Sequence, residues 1–134
     1  MASIRGSLDN DHTTVVTIAV ASTSGPSTFV DAVIDTGFTG FVQVPVLLAQ
    51  GVGLTPRTVT ETQYPDGRID TIPLAWGRIS LGSEAREGFV HMQRGSDEVI
   101  IGVEFLRLFR KILVLSATDG TLLLIDSLAD VTLA

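Results

Sequence analysis

Asp35 directly follows an apolar run, Phe29 to Ile34, and is followed by Thr36 and Gly37. A carboxylate placed there sits at the edge of a core, where desolvation and neighbours can tune it for proton transfer. Thr36 can donate a hydroxyl hydrogen bond, and Gly37 lets the backbone turn tightly beside a ligand. Read alone, Asp-Thr-Gly is also ordinary turn chemistry. The other reactive side chains have less company. The 2 histidines, His12 and His91, are far apart, and there is no cysteine to complete a zinc site. Asp9-Asn10-Asp11-His12 reads as a solvated loop, and His91, between Val90 and Met92, as a strand residue pointing outward. Ser22-Thr23-Ser24 and Ser83 have no neighbouring His–Asp arrangement to activate a nucleophile. Gly37 to Gly40 and Gly51 to Gly53 lack the strand, glycine-rich loop and lysine that cradle phosphate. Trp76 and the phenylalanines read as core rather than as a binding platform, with Phe105, Leu106 and Phe109 as packing residues. Arg94 to Glu98 reads as a solvated loop.

The elements that must position Asp35 are mostly strands. Thr14, Val16, Ile18 and Val20 alternate on one face, as in a half-buried strand. A turn at Ser24-Gly25-Pro26-Ser27 leads to the strand Phe29 to Ile34 that ends at Asp35. Phe41 to Val44 is a third strand; Pro45 then opens a short helix, Val46 to Gln50, which Gly51 closes. The polar, β-branched stretch from Thr58 to Tyr64, Asp66-Gly67, and the extended run from Arg68 to Trp76 form a hairpin signal. Its sparse apolar content makes it project from the core, and Pro73 fits an edge strand. Ile79 to Leu81 and Gly88 to Met92 pair around Gly82-Ser83. Val99-Ile100-Ile101 is a short apolar strand ending at Gly102, and Val103 to Arg110 is helical, with Arg107, Arg110 and Lys111 near its C-terminal end. A last hairpin joins Ile112–Leu115 to Thr121–Ile125 through Thr118-Asp119-Gly120. Phe29-Val30 leading into Ile34-Asp35 is echoed by Phe89-Val90 leading into Ile101-Gly102: twice a strand reaches a glycine and a short helix follows.

The bulk properties bound the function. The chain has 134 residues, 45% of them hydrophobic, which is enough for one folded domain spanning 1–134. Nine basic against fifteen acidic residues give a net charge of −6, with Lys111 the sole lysine, which argues against nucleic acid and anionic membranes as partners. No apolar run is long enough to span a bilayer, and the N-terminus lacks the apolar stretch of a secretory signal, so the expectation is a cytoplasmic protein.

Val33-Ile34-Asp35-Thr36-Gly37, the hairpin at Asp66-Gly67, and Ile100-Ile101-Gly102 before a helix occur in that order. Together they resemble the retropepsin-like aspartic peptidases of clan AA over roughly residues 13 to 125. Asp35 to Phe41 with Gly102 to Arg107 looks like the prokaryotic single-domain branch. The resemblance implies an all-β fold: a small closed acid-protease-like barrel with one short C-terminal helix, homodimeric. It implies that Asp35 is the catalytic carboxylate, supported by Thr36 and Gly37. Tyr64, Pro65, Asp66, Gly67, Arg68 and Ile69 would form the flap, and Phe38, Val99, Ile100, Ile101 and Gly102 would bind substrate. The sequence departs from the family at Phe38, where many members have a small residue. Thr39 and Val103 replace a retroviral acid–Arg pair, and Gly67 is the flap tip's only glycine.

Peptide hydrolysis of this kind uses two carboxylates sharing one proton. The sequence has no second Asp-Thr-Gly or Asp-Ser-Gly: Asp126-Ser127 continues into Leu128. The second carboxylate is therefore expected from a second copy across a two-fold axis. The expected activity is endopeptidase cleavage of a peptide or protein substrate by water attack, with no metal or organic cofactor. A non-catalytic dimeric peptide-binding or dimerisation module on the same barrel is the alternative. A metal-dependent hydrolase using Asp11, His12 and His91 is a more remote one.

Overall fold

The computed structural model describes residues 3–8 and 13–130. The Asp9 to His12 segment, and with it two of the three side chains of the metal-site idea, lies outside them. The described chain runs β1 (Ile4–Leu8), β2 (Thr14–Ala21), β3 (Thr28–Ile34), β4 (Val42–Pro45), α1 (Val46–Gly51), β5 (Pro56–Gln63) and β6 (Ile69–Leu81). It continues through β7 (Glu84–Gln93), β8 (Val99–Ile101), α2 (Val103–Phe109), β9 (Ile112–Ser116), β10 (Thr121–Ile125) and a 3-10 turn, Leu128–Asp130. Among the described residues there are two α-helices, not the single C-terminal one that the resemblance implied, and the first stands where Pro45 foretold it. That first helix extends through Gly51, and the positive-φ glycine beyond it is Gly53.

All ten strands belong to one sheet, in the order β5-β6-β7-β4-β8-β3-β2-β1-β10-β9. A further β2–β6 pairing, Ala19 to Ala21 against Arg78 to Ser80, closes six of them into a barrel: β2, β3, β8, β4, β7 and β6. The core follows from alternation. Val16, Ile18 and Val20 of β2 are 2%, 1% and 0% exposed, so the stripe read from sequence is the one that faces inward. Phe41, Phe105 and Phe109 stack on one another, with ring centroids 4.5 to 6.4 Å apart, and fix α2 against the barrel.

Two expectations change. The runs Arg68 to Trp76 and Ile79 to Leu81 are one strand, β6. Its buried positions are Ile72 and Leu74 and then Ala75, Gly77, Ile79 and Leu81, a change of phase that hides its continuity. This strand has two lives. Ile69 to Pro73 pairs only with β5, while Leu74 to Leu81 pairs with β7 and, further along, with β2. Pro73 thus lies one residue beyond the last β7 partner, where a missing N–H costs least. The second change is β1, which pairs with β10 and β2 and which its polar, glycine-containing sequence did not announce.

Lys111, just past α2, is buried, with its Nζ 2.5 Å from both Glu84 at the start of β7 and Asp126 after β10. Burial lowers the pKa of the ammonium, but hydrogen bonds to Asp126 and Glu84 outweigh this, and the net shift is upward. One cation ties three chain segments together behind the helix.

Candidate active site

The Asp35 loop is built by strands that are remote in sequence. β8 lies between β3 and β4, parallel to β3 with Val33 opposite Ile100 and Ile34 opposite Ile101, and antiparallel to β4 with Val42 opposite Ile101. The ends of the two halves of the sequence echo, Val33-Ile34 and Ile100-Ile101, therefore lie side by side. The loop from Asp35 to Phe41 leaves β3 and returns as β4 on the other side of β8. Asp35 N donates to Ile101 O at 3.0 Å, and Gly102 N donates to Phe41 O at 3.1 Å, so both ends of the loop are stitched to β8.

The start of α2 stitches its middle. Val103 N donates to Phe38 O at 2.9 Å and Glu104 N to Gly40 O at 3.2 Å. These are first-turn N–H groups that a helix cannot satisfy internally, and the loop carbonyls satisfy them. Gly102 is what permits the approach: a Cβ there would run into the Phe38 carbonyl oxygen and stand 2.5 Å from that of Gly40. Within the loop, Phe38 N donates to Asp35 O at 3.0 Å, and Gly37 N donates to Asp35 Oδ1 at 2.8 Å. Asp35, Thr36 and Gly37 are exposed on the surface of this clamped loop.

The hairpin of β5 and β6 stands beside the loop. At its tip Tyr64 N donates to Arg68 O at 2.8 Å and Gly67 N to Tyr64 O at 2.9 Å, while Asp66 Oδ1 accepts from Arg68 N at 2.9 Å. The Arg68 guanidinium lies 4.3 Å from the centre of the Tyr64 ring. Loop and hairpin enclose a cavity of about 590 Å³, with Gly37, Phe38 and Gly40 on one side and Thr60, Thr62 and Tyr64 on the other. Of the six residues expected in the flap, Tyr64 reaches this cavity; Pro65 to Ile69 continue past it.

The expected substrate-binding residues divide. Phe38 lines the cavity. Val99 and Ile101 are 5% and 0% exposed and belong to the core, so they support the floor instead of lining it. Gly102 is likewise buried beneath the loop, and Ile100 is the half-buried member of its strand.

The sequence reading missed His91. It does stand on the outer face of β7, but it is half-buried, with its ring edge-on to Phe38 at 5.1 Å. Its Nδ1 is enclosed and has no hydrogen-bond partner. Burial lowers its pKa from the ordinary histidine value, offset in part by a hydrogen bond with the Val42 backbone. Trp76, Phe89 and Phe29 also differ from expectation. Trp76 is half-buried and edge-on to Phe89 at 5.0 Å, while Phe89 and Phe29 are 41% and 78% exposed. The signal for β7 was in the sequence: Gly88, Val90 and Met92 alternate with Phe89, His91 and Gln93, and the first set is the buried one. Among the described residues no three His, Cys, Asp or Glu side chains gather as a metal site would require, and no helix is long and apolar enough to cross a membrane.

A barrel closed by six strands, with an Asp-Thr-Gly loop stitched to an inserted strand and a helix, is an acid-protease-like fold. No family profile and no curated protein matches the sequence. Among solved structures, the chain is similar to a retropepsin-like aspartic protease from Rickettsia conorii. The TM-score is 0.63 and the identity 14%, over 92% of this chain and 90% of that one. At that identity the likeness is one of fold.

Proposed function

We propose that the protein is an aspartic endopeptidase whose active site forms between two copies of the chain, each contributing Asp35. The observation that carries this reading is the clamped loop: it bears an exposed carboxylate, its backbone is held by β8 and α2, and its Gly37 to Gly40 stretch faces the hairpin across a cavity. In the proposed dimer the two Asp35 side chains meet at the two-fold axis and share a proton, because two like charges at close range do not both ionise. One carboxylate takes a proton from a water as it attacks the peptide carbonyl, and the protonated one donates to the carbonyl oxygen. The tetrahedral intermediate then collapses, with a proton delivered to the leaving amine. No covalent intermediate forms. Thr36 braces the paired loops through its hydroxyl, and Gly37 lets substrate backbone approach Asp35. The hairpin from Tyr64 to Ile69 closes over the bound peptide and excludes water.

Cleavage of an unfolded protein such as casein, followed across pH, tests this. The native protein should give a bell-shaped profile and inhibition by a statine-type transition-state mimic. Asp35→Asn should lower the rate by at least about a thousandfold while sedimentation shows the same dimer. Specific activity should fall on dilution as dimers dissociate. Full activity in Asp35→Asn would overturn the assignment. Peptide binding without cleavage in the native protein would favour the non-catalytic module.

A further inference from the structure

The cavity beside the Asp35 loop does not end there. A second one, of about 510 Å³, adjoins it on the outside of the barrel, and the two share Thr39, Gly40, Thr60 and His91 in their walls. His91 is thus the saddle of a continuous groove. Along its floor run Gln93, His91 and Phe89, alternate residues of β7, so they share a face and recur every ~6.6 Å. An extended peptide has the same period, and one laid along β7 would bring every second side chain to this row.

The two chambers differ in chemistry. The one nearer Asp35 presents Gln43, Gln93, Ser96 and His91, with Glu61 and Arg94 giving one charge of each sign. That wall suits a hydrogen-bonding but uncharged side chain. The far chamber presents Leu74, Trp76 and Phe89; its charged residues are the Glu104–Arg107 ion pair and Glu87, which is engaged by Trp76. Trp76 and Phe89 are cross-strand partners on β6 and β7, as are Leu74 and His91. The Trp76 Nε1 donates to Glu87 at 3.1 Å, which satisfies the indole's one polar group and leaves its ring for apolar contact. Phe89 remains 41% exposed beside it. His91 fits the same picture: its ring stands in the wall of both chambers, edge-on to Phe38, rather than wholly within the core.

We infer that Gln93, His91 and Phe89, with Trp76, form a specificity strip that selects peptides carrying an uncharged polar side chain and, two residues away, an aromatic or large aliphatic one. The inference rests on the peptidase reading for its cleavage consequences, but the strip binds peptide whether or not Asp35 cuts it.

Two measurements separate those claims. In the first, a peptide library from a denatured proteome is incubated with the native protein and the cut sites are profiled by mass spectrometry. On one side of the cut, sites should be enriched in a polar residue followed at a two-residue interval by Phe, Tyr, Trp or Leu. Phe89→Ser should cut the aromatic enrichment by about tenfold, Phe89→Tyr should keep it, and His91→Ala should erase the polar preference. In the second, a fluorescent decapeptide of Ala, Gly and Ser carrying Gln-Ala-Phe is titrated against Asp35→Asn protein by anisotropy, beside the same peptide with Gln-Ala-Gly. The first should bind about tenfold more tightly, and Phe89→Ser in that background should abolish the difference. Cleavage without the paired preference, or equal binding of the two peptides, overturns the strip and leaves the peptidase reading standing. Selective binding with no cleavage by the native protein does the reverse.

Discussion

The Asp35 loop and the β5–β6 hairpin face each other across one cavity, yet they are built in opposite ways. The loop is held from below by four backbone hydrogen bonds to β8 and α2, over a core that includes Val99, Ile101 and Phe105. The hairpin has no such backing. Ile69 to Pro73 pairs with β5 alone, and most of β5 is exposed. Catalytic groups need to be fixed within fractions of an ångström, whereas a cover must move to admit substrate. The division of rigidity matches those two tasks: contacts supplied by distant segments on one side, and a single ladder on the other.

The sharpest way to break the contrast is through a glycine on each side. Gly102 has carbonyl oxygens where a Cβ would go, and neither belongs to a flexible side chain. Gly102→Ala must therefore push the loop off α2, and we expect it to cost at least about 4 kcal/mol, among the largest single-residue effects. Urea denaturation would read this as a midpoint shifted by more than 1 M or as failure to fold. A shift of a few tenths would show that the loop is not clamped as described.

The floor is also anchored from behind, by Lys111. Lys111→Met leaves Glu84 and Asp126 without their cation, although both are partly exposed and can regain water. We expect a loss of about 2 kcal/mol, below the figure for a fully buried pair. The pH dependence has a definite sign. The folded-state pKa of Lys111 is raised above the ordinary lysine value of 10.5, so its contribution is complete below that pH and disappears as pH rises through the folded value. Thermal unfolding above pH 10.5 should show a fall in stability that Lys111→Met lacks. An identical fall in both proteins would remove Lys111 from the account.

On the hairpin side, Gly67 has open space around it but sits at φ +88°. Its cost on substitution is backbone strain alone, about 1 kcal/mol for Gly67→Ala. Because the tip is held by the β5–β6 ladder alone, we expect it to open without the barrel and global stability barely to move. Hydrogen exchange at Tyr64 and Gly67 should quicken severalfold instead, with the Asp35 loop unchanged. Equal quickening in the loop would mean that the two regions are coupled.

This contrast also explains how much could be read from the sequence. Turn chemistry at Asp66-Gly67 and Asp119-Gly120, the β2 alternation, and the apolar pair before Asp35 are local signals, and each places its element correctly. What was hidden depends on partners distant in sequence. Val99-Ile100-Ile101 announces a strand, but nothing in three apolar residues says that it lies between β3 and β4. That insertion is what turns Asp35 from a turn residue into one at fixed height. Strand β6 changes neighbour from β5 to β2 midway, so its buried face changes phase and alternation splits it in two. Trp76 and Phe89 were misread for the same reason. An apolar residue on the outer face of a barrel strand reads like a core residue until one knows which element covers it.

The end of α2 offers the smallest effect, and of opposite sign. Arg110 terminates the helix with φ 53° and ψ 48°, the left-handed conformation that a side chain disfavours, and is exposed. Its N–H already donates to Arg107 O at 3.1 Å, so the backbone geometry is set without help from the guanidinium. Arg110→Gly should relieve the strain at the cost of a more flexible unfolded chain, for a net gain of about 0.5 kcal/mol. A small rise in melting temperature, with cleavage unaltered, would show that α2 serves the site through its first turn. If the rate fell instead, the last turn would also be part of what holds Asp35 in place.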